Sequence, residues 1–343
     1  MLEYFVVEIF MMVCLAVPAM RVLVTGAFGN IGSNTIPQLA ERGYQVRCFD
    51  LRTKRNEKTA HKIARRYTVE IIWGDIRSED DVRRAVRDID YIVHMAAILP
   101  PMSEQNPDLT WEVNFGGTDN IVSAAEEMGS LSKFIYTSSI ATYGHSTGRG
   151  PPKTASDPQV AIDAYSKSKI EAERRVRESS LPWTVLRLGA GISVDLEWLG
   201  RSMSGEMFHI PLEQRIEFVH PKDVGLAITN ALSTDTVGKI LLIAGGERCR
   251  MTYREFMKRT LETLGIGMLP DSAFIVPKSD EDYYHTDFMD TSEAQTLLHF
   301  QTRTLDDYLD DLRKELGWRR RVMPLVRWYI RRRLLAASPY YKR

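Results

Sequence analysis

Short apolar segments alternate with segments of helical spacing along the first 190 residues, and this alternation permits few folds. Apolar runs such as 21–25 and 183–188 predict buried strands, and 31–42 places Ile31, Ile36 and Leu39 on one helix face. Regular alternation of strand and helix predicts βαβ units, which build a parallel sheet with helices on both faces. We therefore predict an α/β fold with a doubly wound parallel sheet.

The same pattern divides the chain into segments. The predicted strands are 21–25, 45–49, 70–73, 91–95, 133–137 and 183–188, with helices at 31–42, 78–87, 109–128 and 161–178. Beyond residue 190 the rhythm loosens into helices at 221–232, 252–264 and 305–316 and a strand at 239–244. We predict a Rossmann-type domain over 20–190. We also predict a smaller substrate-binding lobe, mainly 191–317, over the carboxyl ends of the strands, with 218–244 returning to the first core.

A glycine-rich turn follows the first predicted strand. Residues 25–32 read T-G-A-F-G-N-I-G, and a helix is predicted to start within them. Such a turn lets the backbone approach a pyrophosphate, which the helix N-terminus then binds. The residues expected to bind the dinucleotide here are Gly26, Phe28, Gly29, Asn30, Ile31 and Gly32.

The choice of dinucleotide depends on Asp50, which falls 18 residues after Gly32 at the end of the second strand. A carboxylate there can accept hydrogen bonds from ribose hydroxyls and repels a 2′-phosphate, so we expect NAD. Arg52 and Arg55 follow closely and could accommodate a phosphate, which keeps NADP open.

A tyrosine and a lysine four residues apart carry the predicted chemistry. Tyr165 and Lys169 share one face of a predicted helix, so both can reach one ligand. A nearby ammonium favours the phenolate, which can take a proton from a carbinol oxygen while the carbon loses hydride. We expect Ser139, at the end of the preceding strand, to hydrogen-bond the substrate oxygen, with Ser138 as the alternative.

These motifs together resemble the extended short-chain dehydrogenases/reductases, the NAD-dependent epimerase/dehydratase family. The matching segments, in family order over about 20–245, are TGAFGNIG at 25–32, Asp50, GD at 74–75, HMAA at 94–97, VNFGGT at 113–118, YTSSIATYG at 136–144, YSKSK at 165–169, LR at 186–187 and FVHPKDV at 218–224. Residues 290–312 are similar to the family's C-terminal end.

The resemblance implies roles for further residues. Asp75 and Ile76 should contact the adenine, Ala96 and Ala97 should line the cofactor cleft, and Asn114 should support the geometry of the active site. Tyr165 and Lys169 are also expected to contact the cofactor, and by the same resemblance Lys169 holds the nicotinamide ribose. The two long helices near 109–128 and 160–178 should pair in a homodimer. His94 is interpreted as a packing residue rather than a catalyst.

The reaction is less constrained than the cofactor. Ile140 and Ala141 stand where the family's sugar-nucleotide dehydratases carry an Asp-Glu pair, which disfavours a dehydratase. Arg215 is a candidate substrate residue, but it lies one position earlier than the arginine of nucleotide-sugar enzymes. Three hypotheses remain: a nucleotide-sugar epimerase similar to UDP-glucose 4-epimerase, which we favour; a dehydrogenase or reductase of a non-nucleotide substrate, similar to 3β-hydroxysteroid dehydrogenase; and a non-catalytic NAD sensor.

Charge is distributed unevenly along a chain whose formal net charge is zero. Residues 318–343 contain eight Arg, one Lys and no acidic residue, so this tail carries +9. The leader 1–19 carries −2, so the body 20–317 carries −7, which argues against nucleic-acid binding. As a helix the tail would be basic and amphipathic, although Pro324 should interrupt it. It would then either lie on an anionic membrane surface or dock on the acidic body or a partner subunit.

The apolar leader 1–19 and the cysteines bear on location. The leader has three interpretations: a segment before a natural start at Met20, an ordered or peripheral helix, or a membrane anchor interrupted by Glu8. Cys14, Cys48 and Cys249 form no metal-binding spacing, so we expect reduced, buried thiols, no metal and a cytoplasmic protein, with peripheral membrane contact through the tail left open.

Overall fold

A computed structural model describes residues 20–146, 150, 152–191, 193–195 and 205–342. Its strands, in chain order, are β1 (Arg21–Thr25), β2 (Gln45–Asp50), β3 (Val69–Trp73), β4 (Tyr91–His94), β5 (Lys133–Ser139), β6 (Trp183–Leu188), β7 (Arg215–Glu217), β8 (Ile240–Ile243) and β9 (Arg250–Thr252). Seven of them form one parallel sheet in the order β3-β2-β1-β4-β5-β6-β8. This is the predicted doubly wound parallel sheet of the Rossmann type.

Helices flank this sheet and extend beyond it. They are α1 (Asn30–Glu41), α2 (Lys54–Ala64), α3 (Glu79–Val86), α4 (Met102–Gln105), α5 (Pro107–Trp111), α6 (Gly117–Met128), α7 (Ala164–Arg177), α8 (Pro221–Ser233), α9 (Tyr253–Thr263), α10 (Ser292–Leu298), α11 (Leu305–Leu316) and α12 (Arg319–Ala337). A π-helical segment, Glu112–Gly116, joins α5 to α6.

Alternation along β1 shows how the sheet builds two cores. Val22 and Val24 belong to the core beneath α1 and α8, whereas Leu23 belongs to the opposite core beneath α3 and α6. All three side chains are fully buried. Successive side chains of a strand point to opposite faces, so a strand covered by helices on both faces is apolar throughout.

A second core lies beyond the sheet, in the C-terminal part of the chain. Its buried aromatic side chains include Phe218, Phe256 and Tyr308, and the ring centres of Phe218 and Tyr308 lie 5.1 Å apart. The short antiparallel pair of β7 and β9 belongs to this part of the fold. Helices α9 and α11 and parts of α12 contribute side chains to this core. Together they form a lobe that packs separately from the main sheet.

The structure departs from the sequence-based elements where apolar residues are sparse. The helix α2 was not predicted because only Ala60 and Ile63 of its eleven residues are buried, which leaves little apolar periodicity. The short elements β7, β9 and α10 were also missed.

The predicted break at Pro324 is wrong, because α12 runs through this residue. A proline inside a helix removes one backbone hydrogen bond. Arg327 and Arg331 hold the following turns onto the lobe with hydrogen bonds to the carbonyl of Ile266, which offsets that loss. Cys48 and Cys249 are free and buried, as expected, and Cys14 lies outside the described residues.

Candidate active site

A cleft of about 550 Å³ opens at the carboxyl edge of the main sheet. It lies where the chain turns from β1 into α1 and where β4 and β5 end, which is where ligands bind in open α/β sheets. Most of the predicted site residues line it: Gly26, Gly29, Asn30, Ile31, Gly32, Asp50, Asp75, Ile76, Ala96, Ala97, Ser138, Ser139, Tyr165 and Lys169. The structure therefore brings together residues that are up to 143 positions apart in the sequence.

The glycine turn has no room for side chains at two positions. Gly26 adopts φ +62°, and a Cβ there would lie 2.9 Å from the backbone of Ala96. A Cβ on Gly32 would lie 2.5 Å from the carbonyl oxygens of Gly26 and Ala27. At Gly29 a Cβ would lie 3.3 Å from the Gly26 carbonyl oxygen, the one contact among the described residues. The protein therefore restricts a side chain less at this position than at Gly26 and Gly32.

The N-terminus of α1 is free to bind an anion. Gly29 is its N-cap, no side chain caps the helix, and the first turn contains no acidic residue. The first N–H groups of a helix, here those of Asn30, Ile31 and Gly32, have no acceptor within the helix. Unpaired N–H groups and the positive end of the helix dipole suit a phosphate, so this turn fits the pyrophosphate of a dinucleotide.

Asp50 is held in place by the backbone at the end of β2. One carboxylate oxygen, Oδ2, accepts from the Phe28 N–H at 2.9 Å, and Oδ1 accepts from the Leu51 N–H at 2.8 Å and from Asn56 Nδ2 at 3.1 Å. Burial raises the pKa of Asp50, whereas the hydrogen bonds from the N–H groups of Phe28 and Leu51 lower it. A carboxylate offers about four acceptor positions, so one remains for a ribose hydroxyl. Phe28 thus donates its N–H to Asp50. Its ring packs against Trp73, with the two ring centres 5.2 Å apart.

The two arginines that kept NADP open are already in ion pairs. Arg52 Nε lies 2.8 Å from a Glu57 carboxylate oxygen, and Arg55 Nη2 lies 3.1 Å from Asp195. Both pairs are partly exposed, so each contributes little to stability, and each engages one nitrogen of its guanidinium group.

Lys169 lies buried on α7 beneath the cleft. Its Nζ donates to the Thr137 carbonyl at 2.6 Å and sits 4.4 Å from the ring centre of Tyr136. Burial lowers the pKa of Lys169 to about 7, and the carboxylate of Glu173, one turn further along the helix, partly opposes that shift. An ammonium group has three donors, so Lys169 can still bind a ligand after its bond to Thr137.

Tyr165 lies one turn before Lys169, and the structure places both serines of the β5 end close to it in the cleft wall. Burial raises the pKa of Tyr165 to about 12, while a hydrogen bond with Ser139 lowers it. The Ser138 hydroxyl is buried and has no partner among the described residues. A buried hydroxyl without a partner is uncommon, and one in a cleft wall is positioned to meet a ligand oxygen.

Asn114 lies behind the cleft and not on its wall. Its amide exchanges hydrogen bonds with the backbone of Ile98, at 2.7 and 3.0 Å, and donates to Ser168 Oγ at 3.0 Å. Ser168 in turn donates to the Tyr165 carbonyl at 2.8 Å. Asn114 thus links the cleft wall after β4 to the helix that carries Tyr165, which is a supporting geometry.

Glu104 is a contact that sequence reasoning missed. Its two carboxylate oxygens accept from the Ala164 N–H at 3.1 Å and the Tyr165 N–H at 3.2 Å, at the start of α7. The N-cap Asp163 accepts from the Ser166 N–H at 2.6 Å and completes this end of the helix. Glu104 lies 61 residues before Tyr165, so no local pattern could have indicated the pairing.

A buried ion pair on the other side of α7 was also missed. Glu173 and Arg187 form two hydrogen bonds, at 2.6 and 3.1 Å, and Arg187 also donates to the Tyr143 hydroxyl at 2.7 Å. Both charged side chains are almost fully buried. The leucine-arginine segment recognised at 186–187 therefore contributes a structural arginine.

Two other residues considered from the sequence lie in environments that limit their roles. Arg215 is paired with Asp287 at 2.7 and 2.9 Å and does not line the cleft among the described residues, so its substrate role stays a prediction. His94 contacts the hydroxyls of Thr25 and Thr118 at 2.6 and 2.9 Å. Burial lowers the pKa of His94 to about 3, which leaves the ring neutral.

The outer part of the cleft wall is apolar. Leu99 and Met102 are about half exposed at its mouth, although both are large hydrophobic side chains. The other apolar residues of the wall come from the ends of β4 and β6 and from the helical segment that follows α4. They are Met95, Ile98, Leu109, Val113 and Leu188.

Comparisons with known proteins show what the chain is similar to. Residues 22–244 match the sequence profile described as the NAD dependent epimerase/dehydratase family. The chain is 33% identical over 162 residues to a 3 beta-hydroxysteroid dehydrogenase/Delta 5-->4-isomerase of Mycobacterium tuberculosis, covering 46% of this chain and 42% of that protein. It is 31% identical over 167 residues to a decarboxylating sterol-4-alpha-carboxylate 3-dehydrogenase of Schizosaccharomyces pombe, covering 48% and 46%. The matches thus span less than half the length of these relatives.

Solved structures share the fold over most of the chain. A dTDP-glucose 4,6-dehydratase from Streptomyces venezuelae, solved with NAD, superposes with a TM-score of 0.72 at 22% identity, covering 87% of this chain and 98% of its own. A UDP-glucuronic acid 4-epimerase from Bacillus cereus, also solved with NAD, gives 0.71 at 22% identity and covers 87% and 99%. At this level of identity the likeness establishes the fold alone.

Proposed function

The chain belongs to the NAD-dependent epimerase/dehydratase family, and from that premise we propose that it oxidises a secondary hydroxyl group on an apolar, non-nucleotide substrate. The observation that carries this proposal is the apolar wall beside Tyr165, with Leu99 and Met102 half exposed at its mouth. An apolar surface of this kind favours a hydrophobic ring or chain over a diphosphate. This is the second of the hypotheses raised from the sequence.

Two further observations support an apolar substrate. Arg215, the candidate contact for a nucleotide sugar, is engaged with Asp287. The curated relatives named above are hydroxysteroid and sterol dehydrogenases, and the resemblance to them covers nearly half of this chain.

The cleft residues have distinct proposed roles. NAD, when bound, would supply the acceptor for the hydride that leaves the carbinol carbon. Tyr165 takes the proton from the hydroxyl oxygen, and the hydroxyls of Ser139 or Ser138 hold that oxygen in place. Lys169 lies one helical turn away, where its protonated form favours the phenolate of Tyr165 and its remaining donors can hold a ribose.

The proposed cofactor site occupies the opposite part of the cleft. Its glycine turn and the N-terminus of α1 would bind the pyrophosphate, and Asp50 would accept from the adenosine ribose. We propose that Asp75, Ile76, Ala96 and Ala97, which line this part, contact the rest of the dinucleotide. The carboxylate of Asp50, which repels a 2′-phosphate, supports NAD over NADP.

A spectroscopic screen tests the proposal. The purified protein is mixed with NAD and either simple secondary alcohols and sterols or UDP- and dTDP-sugars, while the absorbance of reduced nicotinamide is followed. We expect net reduction with an apolar alcohol and none with the Tyr165→Phe variant. Isomerisation of a nucleotide sugar without net reduction would establish the epimerase instead, because an epimerase returns its hydride. Binding of NAD without turnover on either panel would favour the sensor.

We also propose two properties of the molecule beyond its chemistry. The family resemblance supports a homodimer through α6 and α7, which light scattering coupled to gel filtration would detect as a doubled mass. The charge of the tail supports a cytoplasmic protein whose residues 318–343 make a peripheral contact with a membrane surface.

A further inference from the structure

The helix α12 is fastened to the C-terminal lobe through one face. Arg327 Nε donates to the Ile266 carbonyl at 3.0 Å, and Arg331 Nη1 donates to the carbonyls of Gly267 and Met268, each at 2.8 Å. Beyond the helix, Ser338 Oγ donates to the Ala273 carbonyl at 2.5 Å. Because these bonds fix the rotation of the helix about its axis, they also fix which side chains face away from the protein.

The opposite face carries a row of large apolar side chains, here called the outer stripe: Trp318, Val322, Leu325 and Tyr329. Successive members are four, three and four residues apart, so they lie on one side of the helix. Trp318 is 69% exposed and Leu325 is 76% exposed. Isolated apolar residues on a surface are ordinary, whereas a contiguous exposed row of this kind marks an interaction site.

Arginines border the outer stripe. Arg321 and Arg332 fall beside it by helical spacing, and Arg333 Nη1 donates to the Tyr329 hydroxyl at 3.3 Å. Guanidinium groups suit phosphate oxygens, and long arginine side chains can reach headgroups while an apolar row lies deeper.

We infer that the outer stripe of α12 lies in the headgroup region of an anionic lipid bilayer, with its bordering arginines on the lipid phosphates. An aromatic and aliphatic row between arginines is the composition of a helix that lies in a membrane interface. No described helix is both long and apolar enough to cross a bilayer. The tail carries +9 and the body −7, so an anionic surface attracts the molecule tail first. This inference rests on the proposed membrane contact and is independent of the proposed reaction.

A sedimentation assay on the full chain tests the inference. The protein is spun with phosphatidylcholine vesicles that contain phosphatidylserine and, separately, with pure phosphatidylcholine vesicles. The test variant is Leu325→Glu, and the matched control is Val276→Glu, because Val276 is 75% exposed but is not part of α12. We expect binding to the anionic vesicles that weakens with added salt, about a tenfold or greater loss in Leu325→Glu, and no loss in the control.

Each outcome has a separate meaning. If the unmodified chain binds neither kind of vesicle, both the membrane contact and the assignment of its face are wrong. If Leu325→Glu binds as strongly as Val276→Glu, the tail reaches the membrane through another face and the inference fails alone. If Leu325→Glu instead abolishes self-association seen without lipid, a second copy covers the stripe, which also overturns the inference. Circular dichroism of both variants confirms that α12 and the fold persist, and no outcome depends on turnover.

Discussion

The cofactor part and the substrate part of the cleft are built in different ways. In the cofactor part, the proposed contacts come mainly from one stretch of backbone. Gly26 and Gly32 leave space for the dinucleotide, and the N-terminus of α1 supplies N–H groups. In the substrate part, side chains from distant segments converge, as when Glu104 reaches the N–H of Tyr165. A local motif can therefore specify the first part, whereas the second depends on the packing of the whole fold.

The difference also appears in how the buried polar groups are satisfied. Asp50 in the cofactor part is surrounded by three hydrogen bonds and keeps a fixed orientation. Ser138 at the reacting end has no partner among the described residues, and the wall beyond it is apolar. The carboxylate of Asp50 is thus oriented before its ligand arrives, whereas the hydroxyl of Ser138 is left for its ligand to satisfy.

The largest expected effect is a loss of turnover that leaves cofactor binding almost unchanged. Replacing Tyr165 by Phe removes the hydroxyl that exchanges the proton and should lower turnover by about 10²- to 10⁴-fold. The affinity for NAD should stay within about twofold, since the pyrophosphate and ribose contacts of the other part remain. Steady-state kinetics and fluorescence titration with NADH measure the two quantities. Retained turnover in the variant would show that the base is another group.

The next effect should appear in the cofactor part alone. A Cβ on Gly32 would lie 2.5 Å from two backbone carbonyl oxygens, so Gly32→Ala must displace the turn. Overpacking of this kind costs about 1–3 kcal/mol, which corresponds to a loss of roughly 5- to 150-fold in NAD affinity if it falls on the bound geometry. Gly150→Ala is the matched control, because a Cβ there meets no atom of the described residues within 4 Å. Equal NAD affinity in both variants would contradict the proposed cradle.

The contrast also explains how much the sequence could predict. The parallel sheet, the glycine turn and Asp50 were predictable because apolar runs and a motif within about thirty residues specify them. The pairing of Tyr165 with Lys169 follows from helical spacing alone.

Contacts between distant segments could not be predicted in this way. The bond from Glu104 to α7, the pairing of Arg215 with Asp287 and the buried pair of Glu173 and Arg187 each join segments that only the fold brings together. The helix at α12 was misjudged because the rule that proline breaks helices takes no account of the two arginines that anchor the following turns.

Lys169 lies at the border of the two parts, and its titration should be visible in stability. Burial lowers its pKa in the folded protein to about 7, whereas a lysine in the unfolded chain has a pKa of about 10.4. Between these values the unfolded chain binds more protons, so stability should rise with pH in this window, and it should be lower below about pH 7, where the buried amine is charged.

Urea unfolding at about pH 7 and about pH 9 measures this effect. We expect the free energy of unfolding of the native protein to be higher at about pH 9 by on the order of 1 kcal/mol. This is less than the full linkage between the two pKa values, because the fold relaxes around the buried amine. In Lys169→Met this contribution disappears, and the remaining pH dependence is that of the other groups. An identical gain in the variant would mean that Lys169 stays charged across the window and that its charge is compensated in the fold.

The smallest expected effect concerns Glu104, which connects the substrate wall to the helix of the catalytic pair. Its carboxylate accepts from the N–H groups of Ala164 and Tyr165, so Glu104→Ala leaves the start of α7 with two fewer bonds. We expect kcat to fall by about three- to tenfold with little change in NAD affinity, and partial recovery in Glu104→Gln, whose amide oxygen still accepts. Glu127→Ala, which removes an exposed glutamate paired with Arg83, serves as the control. If NAD affinity falls in step with kcat in Glu104→Ala, the two parts of the cleft are coupled through α7, and the separation between them does not hold.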